Sequence, residues 1–382
     1  MASLPDIHNC PFFIPNLRSI LIKNTILTVT GSTRYSEDEC GARNIQGIFR
    51  FFQIFRHSGI VYAMSSPIAH KIPTPYPVGA AFCYSVELAE ELCLFDCGPP
   101  TQDCRKYLAE QLDLTRLRHI IITHGHLDHW GQAQWLVNET GATLYIPRAD
   151  YWKITRHHER VDLAVSTFEK EGFPAGFIYD SMVFFKEHAF FPNYSKKNGH
   201  YKIVEEDLPA RLGVKVHACP GHSVSDLVYE GDGWVISGDT LLEKIFPIPI
   251  LDIDPVRQER FRNYEHWCRS LVTLAGLEGV QVLPGHRKGV ASIKKTLQGY
   301  VNTLLFRTKR ILPHLGKEEP IDLVDIMLKG KFVGPFQIYM KASELVFIKD
   351  FLAQPHLLRN TLCKTGMYEA MAAKFEDLVN PG

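Results

Sequence analysis

Residues 119–131 read HIIITHGHLDHWG, and the fold is decided by how this stretch is read. HIIIT is an apolar run of β-branched residues and predicts a buried strand. It passes directly into His124, His126, Asp128 and His129, so four potential ligands stand at a strand end, where loops carry sites. Imidazole and carboxylate together suit zinc and similar divalent ions. Alternate residues of an extended turn point the same way, so His124 and His126 can grip one ion. Asp128 and His129 open the following helix and can face a second ion. The competing reading is a polar turn that happens to be rich in histidine. It is preferred for one or two histidines and is a small minority for three with an aspartate.

Three later segments have the same build. CPGHS holds His222, ISGDT holds Asp239 and LPGHR holds His286, each as an apolar run ending in Gly beside an ionisable residue. Glycine there allows the sharp turn that aims a side chain inward. Singly these are weak, because a Gly-Asp pair is usually only a turn. In this order after 123–131 they are hard to read as coincidence.

The series HxHxDH, PGH, SGDT, LPGH resembles the motif set of the metallo-β-lactamase superfamily, over roughly residues 70–300. LFDCG, with Asp96, matches the family's early Asp-x-Gly turn. The resemblance implies an α/β fold, an αββα sandwich of two mixed β-sheets flanked by helices. It implies that His124, His126 and His222 bind one metal, that Asp128, His129 and His286 bind another, and that Asp239 bridges them. Asp96 and Thr123 then orient ligands rather than bind metal. The cofactor implied is a pair of divalent ions. Zinc is the first choice, with iron or manganese open because the set has no thiolate. The activity implied is hydrolysis by a metal-bound hydroxide, with Asp128 orienting the nucleophile and carrying its proton. No GxSxG-like elbow supplies a protein nucleophile.

Periodicity away from the motifs agrees. AAFCYSVE and LCLFDCG read as strands ended by Gly-Pro-Pro, and residues 101–112 and 131–140 as helices. DLVYEGDGWVISGDT reads as a hairpin turning at Asp232-Gly233. Asp254 is expected to cap a helix starting at Pro255, with Tyr264, Trp267, Cys268, Leu271 and Ala275 on one face. Strands and helices mix with few βαβ repeats, which favours stacked sheets over a doubly wound one.

Residues 64–300 are therefore expected to form the catalytic domain, with a helical insert at about 150–205 in the gap between His129 and His222. Its aromatic residues Tyr151, Trp152, Phe168, Phe173, Phe177, Phe184 and Phe185 can wall an apolar pocket over the site or simply pack the insert on the core. His157 and His158 are expected at the surface. Residues 301–382 read as a helical or winged-helix-like tail, with SELVFIKDFL as an amphipathic helix. Residues 1–63 lack clear periodicity and read as an extension of uncertain status. Met64 is the slightly favoured true start.

Lys+Arg and Asp+Glu are both 42, so net charge gives no reason to expect nucleic acid or an anionic membrane. From Arg307 to Lys364 ten Lys/Arg face six Asp/Glu, a bias too mild to favour nucleic acid over packing or a homodimer contact. The nine cysteines are scattered, which fits a reducing cytoplasm better than a disulfide framework. Cys93 and Cys97 read as core residues. GIFRFFQIFRHSGIVYAM carries Arg50, Arg56 and His57 and is not a membrane span.

Three functions remain in play. The first is hydrolysis of an ester, thioester or lactone of a small, partly apolar molecule. The second is a nuclease or phosphodiesterase whose tail holds nucleic acid. The third is a non-catalytic, metal-containing binding protein.

Overall fold

A computed structural model describes Ser19–Ile22, Thr25–Thr28 and residues 66–380, apart from positions 77, 178, 181–200, 278, 288, 332 and 333. The chain divides into two compact units, 1–63 and 64–382. In the first, β1 (Ser19–Ile22) and β2 (Thr25–Thr28) form an antiparallel hairpin in the register Ser19↔Thr28. Four-residue strands are too short to show alternation, so nothing in the residue pattern announced them. The apolar segment at 48–64 lies outside the described residues.

The second unit is built on two mixed sheets. One has six strands in the order β3 (Ile68–Ile72), β4 (Ala81–Leu88), β5 (Glu91–Phe95), β6 (Leu117–Ile121), β7 (Thr143–Ile146), β8 (Tyr201–Ile203). The first two pairings are antiparallel and the rest parallel. The other sheet runs β14 (Gln281–Pro284), β11 (Trp234–Gly238), β10 (Leu227–Glu230), β9 (Lys215–Ala218), with only β11–β14 parallel. β12 (Ile253–Asp254) and β13 (Glu259–Arg260) form a separate ribbon.

Why the inner strands β4, β5, β6, β7, β10 and β11 read as largely apolar runs is visible in the packing: they are mostly buried on both faces, whereas β3, β8 and β9 are partly exposed. Cys93, Phe95, Ile121 and Tyr145 of one sheet meet Leu227, Tyr229, Trp234 and Ile236 of the other. The Phe95 ring lies 5.1 Å from Tyr229 and 5.9 Å from Trp234. The alternate residues Leu94, Ile120 and Leu144 face outward against α1 (Gln102–Gln111), α2 (Leu127–Trp130) and α3 (Ala133–Thr140). On the far side Val228, Val235 and Val282 pack under a helical layer.

That layer begins with the insert helix α5 (His157–Lys170), reached through α4 (Arg148–Thr155), whose Tyr151 packs on the other side, and continues in α6 (Asn263–Ala275) and α7 (Ile293–Ile311). It closes with α8 (Pro320–Leu328), α9 (Pro335–Ala353), α10 (Pro355–Lys364) and α11 (Tyr368–Val379). The fold is thus the expected sandwich of two mixed sheets between helices. Of the two readings of the tail, the described residues after Pro284 are helical and hold no strand.

Two local expectations change. Asp254 caps no helix; its carboxylate accepts from the Val256 and Arg257 amides at 2.8 and 3.1 Å, an Asx turn that closes the β12–β13 ribbon. The helix starts instead at Asn263 and buries Tyr264, Trp267, Cys268 and Leu271 as expected. SELVFIKDFL lies in α9, which is buried nearly all round rather than on one stripe, because other helices pack on several sides of it. Phe347 is its anchor, 2% exposed, with the Tyr264 and Trp267 rings each 5.5 Å away. Phe347→Ala is expected to destabilise the fold by about 3–5 kcal/mol, read from denaturant unfolding of the protein with its metal state held constant. No described helix is long and apolar enough to cross a membrane. The seven described cysteines are unpaired, with Cys93, Cys97 and Cys219 buried as core residues.

Candidate metal centre

All the motif segments leave their strands at the same edge of the sandwich. Asp96 follows β5, residues 123–129 follow β6, Asp239 follows β11, and His286 follows β14. Backbone hydrogen bonds tie these ends together: Cys97 N–H to His129 C=O at 2.6 Å, Leu227 to Thr123 at 2.9 Å, Gly285 to Gly238 at 2.7 Å, and Phe82 to Gly285 at 2.8 Å. His124, His126, Asp128, His129, His222, Asp239 and His286 are thereby gathered into one place.

Hydrogen bonds on the outer side of the rings fix which nitrogen faces inward. His222 Nδ1 lies 2.7 Å from the Ile248 carbonyl, and His286 Nδ1 lies 2.9 Å from the Ala80 carbonyl. His129 Nδ1 lies 2.8 Å from Asp96 Oδ2. Carbonyl and carboxylate oxygens only accept, so each Nδ1 carries a hydrogen, and in the neutral ring each Nε2 presents its lone pair inward. Thr123 donates its hydroxyl hydrogen to Asp96 Oδ2 at 2.9 Å, so His124 Nδ1, 3.0 Å away, must donate to the Thr123 oxygen. His124 Nε2 therefore also faces inward as an acceptor.

The result is an excess of acceptors around two points. His126 Nδ1 lies 2.9 Å from His124 Nε2 and 3.1 Å from His222 Nε2. Asp128 Oδ2 lies 3.2 Å from His286 Nε2. Asp239 lies between the groups: Oδ1 is 3.4 Å from His129 Nε2, and Oδ2 is 3.7 Å from His222 Nε2 and 3.5 Å from His286 Nε2. His129 Nε2, His286 Nε2 and Asp239 Oδ1 are buried without a hydrogen-bond partner. Buried polar atoms are rarely left so. Converging lone pairs call for a cation, and this set fits divalent metal.

Electrostatics separates the two groups. Burial, followed by the neighbouring imidazoles, pushes His124 and His126 well below the ordinary histidine range. For His129 burial acts the same way, but Asp239, Asp96 and Asp128 outweigh it and raise it well above that range; His286 is raised chiefly by Asp239. Asp239 and Asp128 are both held below the usual carboxylate range, against burial, by His286 and His129.

Asp96 holds Thr123 through its amide at 2.8 Å as well as its hydroxyl, and it adopts φ 54°. A non-glycine residue in that region marks a position where the site dictates the backbone. Gly285 is equally constrained, since a Cβ there falls 2.6 Å from both Asp239 Oδ1 and His129 Cε1. Gly285→Ala is expected to weaken binding of at least one ion by about 10-fold or more, measured by chelator competition.

The aromatic residues considered as a pocket wall are placed in packing positions. Phe168 and Phe177 join Phe173 and Tyr339 in the core under the tail, with ring separations from Phe168 of 5.2–5.7 Å. Tyr151 pairs with Tyr201 at 5.9 Å, and Trp152 is buried with the Arg156 guanidinium over its ring. Phe184 and Phe185 lie outside the described residues. His158 is exposed, and the side chain of His157 is also outside them.

Two residues near the site stand outside every motif. Tyr76, in the loop before β4, has its phenol pushed up to about 12 by burial and the Asp128 charge. Lys153, 2% exposed, sits in an ionic cluster behind the 124–129 turn. Its i, i+3 partner Asp150 was the available clue.

A two-layer sandwich with a histidine–aspartate cluster at one edge defines a metallo-hydrolase class of protein. The family model "Metallo-beta-lactamase superfamily" matches residues 76–286, and the chain belongs to that superfamily. The chain is 27% identical over 240 residues to a Bacillus subtilis protein named "Probable metallo-hydrolase YqjP", covering 60% of this chain and 74% of that one. It is 28% identical over 127 residues to a hydroxyacylglutathione hydrolase of Methylobacillus flagellatus, covering 33% and 34%. A solved metallo-beta-lactamase family protein from Thermus thermophilus is similar with a TM-score of 0.54 at 21% identity, covering 76% of this chain and 94% of that one.

Proposed function

We propose that the chain is a two-ion hydrolase of a carbonyl ester, thioester or lactone. The observation that carries this reading is the convergence of imidazole nitrogens and carboxylate oxygens on shared points, three of those atoms buried without a hydrogen-bond partner. His124, His126 and His222 would hold one ion, and Asp128, His129 and His286 the other, with Asp239 between them. Zinc fits these ligands first. When bound, the ions supply Lewis acidity that activates water near neutral pH and polarises a carbonyl.

The chain's own groups do the rest. Asp96 and Thr123 fix the inward tautomers of His129 and His124. Asp128 stays ionised at neutral pH and so can accept a proton and pass it to the leaving group. Tyr76 remains protonated there and can donate a hydrogen bond to substrate. The relative named for an acylglutathione, which is a thioester, supports a carbonyl centre.

The test is elemental analysis of purified protein, followed by a panel of esters, thioesters, lactones and phosphodiesters. Turnover of one of the first three, lost with chelator and restored by metal, is expected. Cleavage of phosphodiesters alone would overturn the reading.

A further inference from the structure

The insert places a buried cation where three site-bearing segments meet. The Lys153 ammonium lies 2.9 Å from Asp150 Oδ1, 3.4 Å from Asp252 Oδ2 and 3.4 Å from Ser225 Oγ. Lys153, Asp150 and Asp252 are each 2% exposed. A lysine so buried is tolerated only where carboxylates compensate it.

Each partner leads to a different piece of the centre. Asp150 lies against the metal-site turn: a Cβ on Gly125 would meet Asp150 Oδ1 at 2.6 Å. Gly125 sits between His124 and His126. Ser225 exchanges a 2.8 Å hydrogen bond with Ser223, the residue after His222. Asp252 lies beyond Asp239 on the connection to β12, and Arg160 of α5 grips it at 2.6 and 3.0 Å. Neither Asp150 oxygen receives a hydrogen bond, so the Lys153 ion pair is what compensates its charge.

We infer that Lys153 is a positioning residue for the three-histidine site alone: its ammonium, bridging Asp150, Ser225 and Asp252, sets the spacing between the His124–His126 turn and His222. Reach distinguishes the two sites. The contacts of Lys153 lead to the segments bearing His124, His126 and His222 and, through Asp252, to the connection that follows the shared Asp239; none leads to His286. Without the ammonium, Asp150 faces Gly125 as an uncompensated buried charge and the turn shifts to relieve it. The inference rests on the two-ion reading above but not on the identity of the substrate.

The test is a Zn2+ titration against a competing chelator, following both ions, on the wild-type chain, Lys153→Met and Asp150→Asn. Thermal unfolding of each metal-free protein is measured alongside. One ion is expected to bind about 10- to 100-fold more weakly in Lys153→Met, while the other changes less than about threefold. A role confined to stability would lower the metal-free unfolding temperature and leave both affinities alone. That result, or equal weakening of both ions, overturns the inference. Where Lys153→Met does not fold, Asp150→Asn is read by the same criteria. A wild-type chain that binds no pair of ions overturns the metal-centre reading itself, which is a different failure from two ions held unchanged in both variants.

Discussion

Asp239→Ala is expected to cost the protein both ions and to slow turnover roughly 10³-fold or more, about 4 kcal/mol of barrier. Asp239 is the carboxylate that reaches both groups of ligands, with oxygens within 3.4–3.7 Å of nitrogens on His129, His222 and His286. Removing it leaves five imidazoles with one carboxylate, Asp128, against the charge of two cations. The lost carboxylate also leaves a gap that water can enter, so ligands that remain are less firmly held. Elemental analysis and steady-state kinetics on the same preparation check both halves of the result. A variant that kept two ions and its rate would remove Asp239 from the bridging position.

The second large effect is a reversal of pH dependence when metal is stripped. In the metal-free chain His129 and His286 are raised by the carboxylates around them. A raised histidine stabilises the fold fully below its unfolded pKa of about 6.5, and that contribution is lost as pH climbs through the higher folded value. Asp239 and Asp128 are depressed, so their contribution is present above the unfolded value, near 3.9, and is lost as pH falls below it. His124 and His126 are lowered by burial, so their contribution is lost as pH falls below about 6.5. The metal-free protein should therefore be most stable near pH 6.5 and weaken on the alkaline side. Metal needs unprotonated imidazole, so the increment that metal adds to the unfolding temperature should grow over the same alkaline range. His124 and His126 are already neutral through burial and should bind with little pH dependence, whereas the group with His129 and His286 must shed protons first. On acidification that second ion should leave first. Thermal melts at pH 5.5, 6.5 and 7.5, with and without chelator, decide this. Parallel slopes in the two states would contradict it.

Five of the seven clustered residues were legible because each stands beside a glycine after a strand, a place the sequence marks strongly, and Asp128 and His129 because they follow His124 and His126 in the same short turn. The two-sheet architecture was legible for a related reason: strands buried on both faces leave unbroken apolar runs such as HIIIT. What escaped notice lacked such punctuation. Lys153 and Asp150 are ordinary charges on a helix until the fold buries them, and Tyr76 sits between prolines with no motif around it. Asp254-Pro255 looked like a helix start because Asx turns and helix caps use the same side-chain hydrogen bond over their first residues. The aromatic residues of the insert looked like a pocket wall because composition cannot say which way a ring faces. Phe168 and Phe177 turn toward the tail helices, whose partnership with the insert is invisible in a linear string.

The cluster takes its members from both halves of the sandwich: His124, His126, Asp128 and His129 come off the six-stranded sheet, and His222, Asp239 and His286 off the four-stranded one. A cation held there is a rivet through the seam between two layers. Neither half can assemble it alone, so tight uptake of metal has to wait until the layers have docked. A time course of zinc capture during refolding should accordingly lag behind strand formation and keep pace with the burial of Phe95 against Tyr229 and Trp234.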